Sequence, residues 1–151
     1  MPKEYEKYMK KDVWLSINSA QQFVECDEEQ IDLVTAAVLY ERGGKYYIIY
    51  EESELTGLDG TRTTLKLDGK SVSLIRTGTY PSQMLFAEDE RHVGLYQTPV
   101  GSAMTIATHT SRVYNTVGDE GGELIIDYTI EVDNCVMGEH HFEMVVAPEP
   151  M

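Results

Sequence analysis

Apolar and polar side chains alternate with a period of two along most of this chain, the pattern of half-buried β-strands rather than of helices. Val13, Leu15 and Ile17 alternate with Trp14, Ser16 and Asn18, and the run from Ile31 to Tyr40 is rich in Val, Ala and Leu with no polar stripe. The acidic segment Cys26-Asp27-Glu28-Glu29 separates these two predicted strands. Arg42-Gly43-Gly44-Lys45 then turns the chain into Tyr46-Tyr47-Ile48-Ile49-Tyr50-Glu51-Glu52, which is apolar on both faces. Thr61 to Leu67 is bracketed by Asp59-Gly60 and Asp68-Gly69, dipeptides that tolerate the positive φ of two-residue hairpin turns. Strands are further predicted at about 70–77, Gln83 to Ala87, His92 to Gln97, Ala103 to Val117, Gly122 to Val132 and Val136 to Ala147, with Pro81 in the turn after Gly78. In the strand from Gly122, Leu124, Ile126, Tyr128, Ile130 and Val132 face one way. Glu123, Asp127, Thr129, Glu131 and Asp133 face the other, with Ile125 as the exception. The last strand sets Val136, His140, Phe142, Met144 and Val146 on one side and Glu139, His141 and Glu143 opposite.

About eight to ten strands joined mostly by short turns, with little room for a long helix, predict an all-β fold: an antiparallel up-and-down barrel or a sandwich. The barrel is favoured because successive hairpins need no long crossover and closure hides strand edges. No linker or internal repeat divides the chain, so one domain over 1–151 is expected, with ends that fray at about 1–10 and 148–151. Pro148 and Pro150 lack the N–H donors that would extend a ladder.

Composition narrows the partners. With 42% hydrophobic residues there is enough to bury one core. Against 12 Lys and Arg stand 26 Asp and Glu, a formal charge of -14, which repels nucleic-acid backbones and anionic lipid. Such a surface keeps a protein soluble and is also open to a basic partner. Residues 1–11 are charged with no apolar core, and nowhere do eighteen apolar residues run together, so a cytoplasmic protein is expected, without nucleic-acid or membrane binding. Two distant cysteines, Cys26 and Cys135, are too few for a disulfide scaffold and are expected to be free thiols.

The order of several motifs carries a resemblance that spans the chain from Val13 to about Val146. Tyr50-Glu51-Glu52, Thr56-Gly57, Thr63-Thr64-Leu65-Lys66-Leu67 and Leu74-Ile75-Arg76-Thr77-Gly78 are followed by Met84-Leu85-Phe86, Tyr96-Gln97-Thr98-Pro99-Val100-Gly101 and Met104-Thr105-Ile106-Ala107-Thr108. In this order the chain resembles the YwiB-like family of small bacterial proteins, whose function is uncharacterised. The resemblance implies a calycin-like barrel, similar in architecture to lipocalins and fatty-acid-binding proteins, and supplies no catalytic residues. It departs from many lipocalins, which place a Gly two positions before the first-strand Trp and an Arg over it from the last strand. Here Trp14 follows Asp12, and the last strand has neither Arg nor Lys.

Arg76 shares strand parity with Val72 and Leu74 and so points toward the apolar interior, where a guanidinium needs a partner. Glu52, in parity with Tyr46, Ile48 and Tyr50, or its neighbour Glu51, is the candidate. Arg76 then either closes an internal ion pair, reaches solvent at the strand end, or anchors an anionic ligand. Arg62 alternates with Thr64 and Lys66 on the polar side. Ten tyrosines suit a barrel wall and a ligand cavity equally. Glu139, His141 and Glu143 form a row on one strand face, but His92 and His109 have no evident place beside them. A charged outer face accounts for the row, and neither a metal nor another cofactor, haem on His140 or His109 included, is expected. No phosphate loop, Gly-x-Ser-x-Gly elbow or paired-cysteine motif occurs, so no enzyme is indicated. The expected function is binding of a small, partly apolar or anionic ligand inside the barrel, at Arg76, Glu52, Tyr50, Tyr96, Tyr128, Phe86 and Phe142. Leu15, Ile48, Leu65, Leu74 and Ile126 are expected to complete the lumen. The alternative is a structural or protein-interaction module with a solid core, and a homo-oligomer is compatible with either.

Overall fold

The computed structural model describes residues 9–23, 28–97, 103–132 and 135–148. Ten antiparallel strands form one closed up-and-down barrel: β1 (Met9–Phe23), β2 (Glu28–Arg42), β3 (Lys45–Glu51), β4 (Thr61–Asp68), β5 (Ser71–Gly78), β6 (Ser82–Ala87), β7 (Glu90–Gln97), β8 (Ala103–Asn115), β9 (Gly122–Val132) and β10 (Cys135–Ala147). Each strand pairs with the next, and β10 returns to β1 through Trp14↔Ala147 to Phe23↔Gly138. Closure leaves the period-two pattern one meaning: one set of side chains faces the interior and the other faces solvent. Val13, Leu15 and Ile17 of β1 are buried, as are Leu65 and Leu67 of β4 and Leu124 and Ile126 of β9.

Several details differ from the sequence expectation. β1 takes in Met9 and Lys10, expected to fray, because they pair with Glu41 and Tyr40 of the long β2. Asp59-Gly60 is not a two-residue hairpin. The Glu52 N–H donates to Thr61 O at 2.8 Å, and residues 53–60 form a longer connection around a 3-10 turn, Glu54–Thr56, capped by the Ser53 side chain. The turn from β4 to β5 consists of Gly69 and Lys70, since Asp68 pairs with Ser71. Val136, expected to face inward, is 55% exposed: a register shift between Val136 and Gly138 re-aims the start of β10. A second shift between Thr110 and Arg112 lets Thr110 and Val113 both be buried on β8.

The two ends of the barrel are built differently. Where the β4–β5, β6–β7 and β8–β9 connections meet, side chains tie turns to strands. Lys70 Nζ donates to Val113 O at 3.1 Å, Val113 N to Glu88 Oε2 at 2.9 Å, and Asn115 Nδ2 to Gly69 O at 3.3 Å. Tyr46 donates to Asp119 Oδ1 at 2.6 Å, a bond that pushes its phenol pKa up to about 12. Gly121 packs there so closely that a Cβ would lie 2.1 Å from Val146 O. Beneath these ties the core is solid, formed by Leu15, Leu39, Ile48, Leu67, Val72, Val113, Leu124 and Met144. Toward the other end, where β3 passes into β4, polar side chains enter the interior and the packing opens.

Candidate functional site

Glu52 follows the last residue of β3 and keeps the inward parity of Ile48 and Tyr50. Its carboxylate, 1% exposed, is held from two sides: Thr63 of β4 donates to Oε2, and Thr56 of the 3-10 turn to Oε1 at 3.0 Å, sharing that proton with Ser53 O. Arg76 enters from β5, in register with Thr63. Its Nε lies 3.7 Å from Glu52 Oε2 and donates to Thr63 Oγ1 at 3.4 Å. The expected charge pair is therefore Arg76 with Glu52, while Glu51 pairs outside with Arg62 at 2.6 Å. Only the Nε of Arg76 is engaged by other described residues, and its side chain is 22% exposed. Burial and the charge of Glu52 hold the Tyr50 phenol well above its ordinary range, with Arg76 acting the opposite way.

An aromatic group faces this cluster. Tyr128 of β9 and His140 of β10 are partners in register and stack with ring centroids 4.9 Å apart and planes 9° from parallel. Phe86 of β6 meets Tyr128 at 4.6 Å and 52°. Burial pushes the Tyr128 phenol up to about 12, Arg76 opposing, and burial lowers the His140 pKa, which favours the neutral imidazole.

Between the two groups lies a cavity of about 280 Å³. Arg76, Glu52, Tyr50, Tyr128, Phe86 and Phe142 all line it, so these candidates meet in one place. Tyr96 lies on β7 opposite Ser82 and Met104, and its side chain falls outside the described residues. Leu65, Leu74 and Ile126 also line the cavity, whereas Leu15 and Ile48 belong to the solid half. Sequence reasoning missed Thr63, Thr56 and His140 as site residues. Thr63 has the inward parity of Leu65 and Leu67, and His140 that of Phe142; for Thr56, in an irregular connection, the sequence carries no such signal.

The row on β10 has another use. His141 lies between carboxylates, Nδ1 toward Asp127 of β9 and Nε2 2.9 Å from Glu143, and these bonds raise its pKa. His109 is exposed, and His92 sits 2.9 Å from Glu90. Among the described residues no cluster of His, Cys, Asp or Glu is arranged to hold a metal ion, and no helix is long and apolar enough to cross a membrane. Cys135 is an exposed free thiol; Cys26 lies outside the described residues.

Fold and cavity together define an antiparallel ten-stranded β-barrel with a part-polar chamber at one end. Within that class the chain belongs to the family described as Domain of unknown function (DUF1934), whose model matches residues 15–144. Its fold is shared with the crystal structure of the ywiB protein from Bacillus subtilis, at a TM-score of 0.83 and 19% identity over 93% of this chain and 94% of that one. No curated protein matches the chain.

Proposed function

We propose that this barrel is a binding protein whose lumen holds a small molecule with an apolar body and an anionic head group, the head group on Arg76. The observation that carries this is a partly open cavity of about 280 Å³, lined mostly by aliphatic and aromatic side chains, that contains one guanidinium with its terminal nitrogens unused by other described residues. A mostly apolar chamber with a few convergent polar groups is the usual form of a small-molecule site. A guanidinium fork is suited to a carboxylate or phosphate, and Glu52 keeps the empty site electrically balanced.

Size limits the ligand. A one- or two-ring acid or a short-chain acid suits a space of that size. We read the protein as non-enzymatic and cytoplasmic; the free, exposed Cys135 suits a reducing compartment. The solid half of the barrel favours a scaffold instead, with the chamber a packing remnant.

Fluorescence titration with 2-naphthoate, against its neutral counterpart 2-naphthylmethanol, separates the two. Binding of the acid that weakens about tenfold or more in Arg76→Gln, with the alcohol unaffected, is the expected result. Equal affinity of both variants for the acid removes Arg76 from the site, and no binding by the wild-type protein favours the scaffold.

A further inference from the structure

The ladder between β2 and β3 stops early. Its pairs run from Arg42↔Lys45 to Val38↔Ile49, although β2 extends back to Glu28 and β3 on to Glu51. Continued in register, it would set Ala37 against Tyr50 and Ala36 against Glu51, and neither pair forms. Beyond this point β2 stays with β1 as far as Gln22↔Glu28, and β3 stays with β4 through Glu51↔Arg62. The barrel wall forks there.

A groove of about 770 Å³ lies over the fork. Most of its lining belongs to the outward-facing set, but Ala37 and Tyr50, inward in parity and buried, are reached from it too. Tyr50 also lines the lumen, so a single side chain borders both spaces. At the fork β2 carries the small residues Ala36 and Ala37, and beyond it the 3-10 turn Glu54–Thr56 lies against β2, so Tyr50 is the side chain shared by groove and chamber. The charge of the groove differs from that of the molecule. Lys10, Arg42 and Arg62 line it with Asp12 and Glu51, three cations against two carboxylates, on a chain of formal charge -14. With Arg62 paired to Glu51, the groove lacks the acidic excess of the rest of the molecule, which lowers the local repulsion of an anion.

Taking the lumen as the binding site, we infer that the fork between β2 and β3 is its side entrance, that Tyr50 is the gate, and that small anions pass from the groove cations to Arg76. Nothing in this route needs the barrel end to open.

The test uses the full chain with Cys26→Ser and Cys135→Ser and a new thiol, Ala36→Cys, capped by a bulky aromatic thiol through a reducible disulfide. Stopped-flow fluorescence follows 2-naphthoate. The cap should slow association and dissociation together, each by about tenfold, with little change in Kd, and reductant should restore both rates. The same cap on Val93→Cys, an exposed position on β7, should change neither rate. Tyr50→Ala should accelerate both in the uncapped protein. Rates that ignore the cap at position 36, while Arg76-dependent binding persists, overturn the side entrance and leave the lumen site standing. Absence of 2-naphthoate binding to the uncapped protein overturns both.

Discussion

Arg76 and Glu52 are coupled by burial, so the stability of each depends on the other. Removing Arg76 leaves a carboxylate 1% exposed with only neutral hydrogen-bond donors. Breaking a fully buried pair from one side costs about 3–5 kcal/mol; with Arg76 partly exposed, Arg76→Ala should cost about 2–3 kcal/mol in urea unfolding. Adding Glu52→Gln should recover part of that loss, because the uncompensated charge goes with it; a double variant less stable than Arg76→Ala would contradict the pairing. The adjacent histidines should act in opposite directions. His141, raised in the fold, contributes stability that is fully present below the unfolded pKa of about 6.5 and lost as pH rises through its folded value. His140, lowered in the fold, has no effect above about pH 6.5. Below it the unfolded chain takes up a proton that the folded chain resists, and stability falls. Relative to wild type, His141→Gln should therefore be less stable below about pH 6.5 and close that gap as pH rises above it, whereas His140→Phe should match the wild-type trend above about pH 6.5 and gain on wild type as pH falls below it; profiles parallel to wild type throughout would contradict the assignment. Parity made Arg76, Glu52 and Tyr50 legible in the sequence. That the inward parity carries past the end of β3 as far as Glu52 was not, since it depends on Thr61 accepting the Glu52 N–H.

At the scale of elements, strands and most turns follow from the alternating pattern, because a closed barrel gives every strand one wet and one dry side. How far neighbouring strands stay paired does not follow from it. Pairing length depends on the twist and stagger of the whole wall, which is why the fork between β2 and β3 and the two register shifts were hidden. β6 and β7 show the same effect: their ladder consists of Ser82↔Tyr96 and Gln83↔Leu95. Gly94 allows that approach, since a Cβ there would lie 2.2 Å from Gln83 O. Gly94→Ala should force the strands apart at about 1–3 kcal/mol in thermal or urea unfolding. A variant as stable as wild type would show that the β6–β7 contact has slack.

The whole molecule is a barrel with one end tied and solid and the other hollow, inside a strongly acidic envelope. The envelope and the barrel are both written in the composition and periodicity. The cavity is not, because the same aromatic and aliphatic residues fill a core or line a chamber according to how the two ends pack. Binding of a small anion in that chamber is the central claim, and native mass spectrometry of the protein purified from its own organism tests it most directly. The wild-type chain should carry an additional mass of a few hundred daltons at most, released on denaturation as a small acid and absent from Arg76→Gln. A wild-type chain at its bare sequence mass, or an adduct that Arg76→Gln retains in full, would contradict it.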